Sequence, residues 1–299
     1  FEDKSNALSI AQIEQQQFTP YERMLAKGFS TGTYWLKLKI RSGEQDLVLR
    51  ARPFFTEEIE LFDPESTQDR PKIGAKYPSS ASDIEALSYN YTLPTGVSDR
   101  AIYLRVKSAR SYMINVEVMS LGEFRKADRK DQLICSSYAA FTLILALWLL
   151  ATWLINKELV LGVFTLQQFM AFFHAIFYTG LAKEFIDDSI GPLVLNSSFS
   201  IIVVTYPLIA FLANKLLLEE YGIKMAYKWL FNAFLGLSLV VVSLYLSGST
   251  LAFKLNNITI LIAMLFFMVA ALFGLNLSRA SVKASALPVK ALRLFYTFN

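Results

Sequence analysis

The stretch "DRKDQLICSSYAAFTLILALWLL", Asp128–Leu150, decides how this chain divides. Its first four residues are charged and none of the rest is. So abrupt a change marks a passage from water into hydrocarbon. A bilayer core about 30 Å thick takes roughly 20 apolar residues of helix. Five uncharged stretches reach that length: residues 132–156, 159–182, 189–214, 229–253 and 255–278. The start of a sixth is expected near Leu292. A buried helix of a soluble protein rarely runs so far without a charge, so residues 132–299 read as a transmembrane helical bundle.

The joins between the stretches set an orientation. "NKE" at Asn156–Glu158 is a minimal turn and "KEFIDD" at Lys183–Asp188 is acidic. Asn214–Lys228 is longer and amphipathic, a connecting helix or a surface for the membrane or a partner. Ser278–Lys290 is basic without an acid, and Lys254 interrupts the boundary of the last two spans, where a tight hairpin is expected. With the front outside, the inner loops hold Lys157; Lys215, Lys224 and Lys228; and Arg279, Lys283 and Lys290. The outer loops hold only Lys183 and Lys254. Cytoplasmic loops carry the excess of Lys and Arg, so the front is expected to be exported, on the outer side of the membrane that the bundle spans. Arg125, Lys126, Arg129 and Lys130 stand on the other side of that balance. They mark the water boundary in a juxtamembrane linker, residues 125–131.

Residues 1–124 alternate polar and apolar with period two. In Thr33–Arg41, Leu36, Leu38 and Ile40 point one way; Trp35, Lys37 and Lys39 point the other. Gln45–Ala51, Glu57–Asp63, Ser88–Leu93, Ala101–Lys107 and Met113–Met119 read alike. Pro53, Pro64, Pro71, Pro78, Pro94 and Gly96 fall between them, where turns belong. Short strands at this spacing predict an antiparallel jelly-roll-like β-sandwich. Ser9–Gln17 reads as a short helix or an edge strand. The fold class is thus a multidomain membrane protein, an all-β sandwich ahead of an all-α bundle.

The order "YWLKLKIR…LVLRARPFFTEEIELFDP…IGAKYP…YNYTLP…AIYLRVKS…INVEVMSLGEF" resembles the type 2 extracellular sensor domain of bacterial seven-transmembrane receptors with diverse intracellular signalling modules (7TMR-DISM). The matching marks are Tyr34–Trp35, the strand Ile59–Phe62, Gly74 after it, and Tyr103–Val106. Ser42–Gly43 departs from the family pattern, which has an Asn there, and seven spans are expected where five and a fragment stand. The resemblance implies the sensing half of a receptor, with a cyclase, phosphodiesterase or histidine kinase as output. No such module is in this stretch, and more chain is expected past Asn299, which ends an aromatic run. Phe1 is expected to follow a removed signal peptide or a trimmed end.

Chemistry is sparse. The sequence holds no metal-spaced His/Cys cluster, nucleophile elbow or phosphate loop, so no enzyme activity, metal or cofactor is expected. The single Cys135 permits no internal disulfide. The net charge of +4 is spread without a basic stripe, which argues against nucleic acid. On the sandwich, Trp35, Lys37, Arg50, Tyr103 and Arg105 lie opposite the apolar face. Rings beside cations suit a carbohydrate or a small anion; a solvated face would look the same. In the second span Gln167, Gln168 and His174 share a helical face. Polar groups in hydrocarbon face the bundle interior, as a switch or as interhelical bonds.

Three functions compete. The first is a receptor that binds a ligand or an envelope protein and relays it through the stiff join Leu121–Asp131. The second is a structural or assembly protein docking an envelope complex through its sandwich. The third, a transporter or channel, finds little support in the spans. Partners are the lipid bilayer and, for the receptor, a second copy as homodimer or a larger membrane assembly.

Overall fold

In this computed structural model the described residues are all but 23, 31, 44, 65–69, 96–98, 109–111, 276–288 and 299. Side chains are also undescribed at 187–189, 289, 291, 295 and 298. Gly96 and most of the basic segment Ser278–Lys290 therefore lie outside the described residues. The chain forms two compact units, Phe1–Ala139 with Ala175–Phe199, and Ala140–His174 with Ser200–Asn299.

The strands of the first unit are β1 (Glu2–Asp3), β2 (Leu25–Gly28), β3 (Thr33–Ile40), β4 (Leu47–Arg52), β5 (Glu58–Phe62), β6 (Tyr89–Leu93), β7 (Arg100–Lys107) and β8 (Tyr112–Ser120). Among the described residues they form two four-stranded antiparallel sheets, ordered β1-β3-β7-β5 and β2-β8-β4-β6. From β2 to β8 each successive strand belongs to the other sheet, the crossing pattern of a jelly roll. The period-two alternation supplies the core: Leu36, Leu49, Ile59, Tyr91, Leu104 and Ile114 are buried between the sheets. The read strands are all present; β1 and β2, short and without clear alternation, extend what the pattern showed.

Within Ser9–Gln17 one helical turn forms, α1 (Ile10–Ile13). Ser9 and Gln12 form a capping box that satisfies the first turn. Ile13 of α1 packs with Trp35 and Tyr103 on the far side of the first sheet, beside Phe1, Phe18 and Phe62. That face is roofed by the N-terminal segment and forms a second, smaller core.

The helices are α2 (Leu121–Asn156), α3 (Leu159–Tyr178), α4 (Leu181–Ile190), α5 (Pro192–Glu220), α6 (Met225–Leu246), α7 (Leu251–Phe273) and α8 (Val289–Phe298). Among the described residues five of them, α2, α3, α5, α6 and α7, are long and apolar enough to cross a membrane. Together with the sandwich this is a multi-pass membrane architecture.

Several boundaries differ from the charge-based reading. Residues 125–131, read as a linker, belong to α2. The acidic join Lys183–Asp188 lies in α4, because Gly180, at φ +85°, breaks the path after α3. The connector at Asn214–Lys228 shrinks to Tyr221–Lys224: α5 and α6 project past the apolar stretch, and Gly222 at φ +72° makes the turn. The last hairpin turns at Ser247–Thr250, with Gly248 at φ +77°, and Lys254 is an exposed residue of α7. Absence of charge cannot see a turn made of Ser and Gly. In the second unit Phe231 stacks on Phe267 at 5.3 Å and meets Phe266 edge-on at 4.9 Å. Ala263, Ala270 and Ala271 are buried, small residues that let helices approach closely.

Candidate functional site

The sandwich ends and α2 begins without an intervening residue. Ser120 closes β8, and the "SLGE" run from Ser120 to Glu123 caps the helix. The Glu123 amide donates to Ser120 Oγ at 3.3 Å, and the Ser120 amide donates to Glu123 Oε2 at 3.1 Å. Both groups at the helix start are thereby satisfied, an arrangement contributing about 1 kcal/mol.

Helical spacing then aligns Phe124, Asp128 and Asp131 on one face. Phe124 and Asp128 are buried; Arg125, Lys126, Arg129 and Lys130 on the opposite side are exposed. The buried face meets the outer side of the second sheet. There Arg50 and Arg52, two residues apart on β4, both reach Asp131. Arg50 Nη2 donates to Asp131 Oδ2 in a short contact, and Arg52 Nη1 donates to the same oxygen at 3.2 Å. Arg50 Nε also donates to Ser88 Oγ at 3.1 Å, and Arg52 pairs with Glu117 at 3.3 Å. One turn earlier, Asp128 Oδ1 accepts the Leu87 amide at 3.1 Å. Asp128 Oδ2 accepts Gln132 Nε2 at 3.1 Å, which also donates to Glu184 of α4 at 3.4 Å.

A second attachment comes from the α3–α4 turn. Lys183 Nζ donates to the Gly74 carbonyl at 2.8 Å and lies 4.6 Å from the centre of the Tyr89 ring. Gly180 approaches Phe54 so closely that a Cβ there would meet its ring at 2.9 Å. Phe55 packs on Tyr178, rings 5.5 Å apart. Between this turn and the strand β6 lies a polar cavity of about 260 Å³. Ser79, Ser82, Ser88, Glu85, Lys183 and Glu184 line it. Burial and the neighbouring carboxyl groups of Asp128 and Glu85 push Glu184 above the ordinary carboxylate range.

The five residues read as a ligand face separate in space. Arg50 is in the second sheet, 3% exposed and committed to Asp131 and Ser88. The others share the outer side of the first sheet, but Trp35 is 1% exposed and Tyr103 is buried, their faces taken by Ile13, Phe18 and Phe62. Lys37 lies 5.4 Å from the Tyr103 ring centre, and Arg105 pairs with Glu60 at 3.2 Å. Trp35 and Lys37 also border an open groove of about 700 Å³, with Phe18, Tyr21, Lys39 and Glu117. The roof escaped the sequence reading because Ile13 and Phe18 sit in a polar run whose partners are distant in sequence. In the second unit His174 stacks on Tyr206 at 6.1 Å, and Gln168 Nε2 donates to the Thr142 carbonyl at 3.4 Å. The polar face of α3 therefore turns toward neighbouring helices. Among the described residues no group of His, Cys, Asp and Glu could hold a metal ion.

A jelly roll that runs directly into the first of several membrane-length helices defines a class: a multi-pass membrane protein with a β-sandwich domain at its front. Residues 1–120 match the family model described as 7TMR-DISM extracellular 2. The match ends at Ser120, the residue where β8 gives way to α2. No curated protein matches the chain.

Proposed function

We propose that this chain is the sensing and membrane half of a bacterial signalling receptor. A ligand or an envelope protein engages the sandwich in the periplasm, and the helices of the inner membrane carry the change toward a cytoplasmic output. The continuous run from β8 through Ser120 into α2, clamped by Asp131 to β4, carries this reading. A capped helix with no flexible residue before it transmits a tilt or a shift that a slack linker would absorb. The open groove bordered by Lys37, Lys39, Phe18 and Tyr21 suits a carbohydrate or an anion at the sandwich. Relay requires two arrangements of the helices, separated by a few kcal/mol, that the ligand binds unequally.

The test uses the whole chain in nanodiscs. Cys135 is replaced by Ser and a spin label is placed at Ala151, far along α2. Arg50→Gln with Arg52→Gln, which cuts the clamp, should change the label's mobility. A Gly-Gly-Ser insertion after Arg125 should make the label indifferent to those substitutions. A label that ignores the clamp in the uninterrupted chain would favour the assembly protein, in which the bundle is only an anchor. For topology, a Cys at Ser42 should be labelled from outside the cell and one at Lys157 only after permeabilisation.

A further inference from the structure

We propose that the helical unit holds a binding site for a small membrane-soluble molecule carrying one hydrogen-bond donor. A cavity of about 310 Å³ lies among α3, α5, α7 and α8. Its walls are mostly apolar, with Phe164, Phe211, Met264 and Phe267 prominent. Small-molecule sites between bundle helices have this make-up: an apolar enclosure and a few polar groups that fix orientation.

The polar groups decide what the ligand must offer. Pro207 interrupts α5 beside the cavity and has no N–H for the Val203 carbonyl one turn earlier. That carbonyl is supplied from α7, where Asn256 Nδ2 donates to it at 3.2 Å. The broken turn is therefore satisfied and asks nothing of a ligand. Asn214 is likewise engaged: its Oδ1 accepts Tyr296 OH at 2.6 Å, and its Nδ2 donates to the Ala210 carbonyl at 2.7 Å. Gln167 Oε1 differs. It is buried and accepts no hydrogen bond among the described residues. A carbonyl held this way in an apolar setting is costly until a donor reaches it.

The occupant thus brings a hydroxyl or N–H to Gln167 and apolar surface to the rings. About 310 Å³ is room for roughly ten non-hydrogen atoms at about the volume of a water each. A whole phospholipid is larger than that, and a sugar would bring more polar groups than the walls can serve. Since the site involves no part of the sandwich, its failure would leave the receptor reading untouched.

Two probes differ in the donor alone: 4-propylphenol and 1-fluoro-4-propylbenzene. Each is measured by equilibrium dialysis against the whole chain in nanodiscs, with protein-free nanodiscs as baseline. The wild-type chain should bind the phenol saturably and about 10-fold more tightly than the fluoro compound, the worth of one buried hydrogen bond. Gln167→Leu, or Gln167→Met should the first not fold, should bring the two within about 2-fold. Ala210→Phe, which fills the cavity, should abolish saturable binding of both. Melting temperatures confirm that each variant is folded. No saturable phenol binding, equal affinities in the wild type, or a preference that survives at residue 167 would each overturn the proposal.

Discussion

Asp131→Asn removes the charge on which two guanidinium groups converge and keeps the volume. Arg50 is 3% exposed and Asp131 24%. Taking one partner from a fully buried ion pair costs ~3–5 kcal/mol, chiefly because the other charge stays buried and unmatched. Three features reduce this figure. Asp131 is partly wet, Arg50 keeps Ser88 and has Glu117 at 3.8 Å, and Asn still accepts one hydrogen bond. The substitution should therefore cost about 2 kcal/mol. Glu117→Gln, on the exposed side of the same cluster, should cost under ~1 kcal/mol. Replacing both partners, Arg50→Met with Asp131→Leu, should cost less than Asp131→Asn alone, since an apolar pair leaves no orphaned charge. The assay is urea unfolding of the chain in nanodiscs. Trp35 reports on the sandwich once the helix tryptophans Trp148, Trp153 and Trp229 are replaced by Phe. A cost below ~0.5 kcal/mol for Asp131→Asn, or a double variant weaker than the single one, would refute the clamp.

Gly180→Ala places a Cβ against Phe54 at a positive φ, and should lower stability by ~1–3 kcal/mol, read as a drop in melting temperature. Glu184→Gln should raise the melting temperature at neutral pH. With its folded pKa raised, Glu184 holds its proton more tightly when folded, so its share of stability is full below the unfolded value near 4.5 and is lost as pH climbs through the raised one. The Gln variant should flatten that slope in a series of melts against pH. Asn256→Leu orphans the Val203 carbonyl and should cost ~1 kcal/mol in unfolding from the bilayer, and Pro207→Ala, which restores a backbone donor, should recover most of it.

Much of this was legible in one sequence, because the strongest signals are local. Alternation through Leu36, Leu49 and Leu104 placed the core strands, and uncharged runs placed the long helices. The site was less visible. Four basic neighbours mask Asp128 and Asp131, although with Phe124 they repeat at helical spacing, and "SLGE" is a capping box. Those two signals together would have extended α2 back to Leu121. That Asp131 meets Arg50 depends on the sheet order, which pairs β4 with β8 across 65 residues between Arg52 and Glu117 and has no local trace. The roof of Ile13 and Phe18 is hidden for the same reason, and so is the union of Pro207 with Asn256.

No slack separates the sandwich from the first membrane helix. Amide hydrogen exchange across Arg125–Gln132, past the first turn, in the whole chain in nanodiscs, tests it most directly. Those amides should exchange as slowly as the buried strands β4 and β8, and Asp131→Asn should speed them selectively. Exchange at the rate of an unstructured peptide, in the unaltered chain, would contradict it.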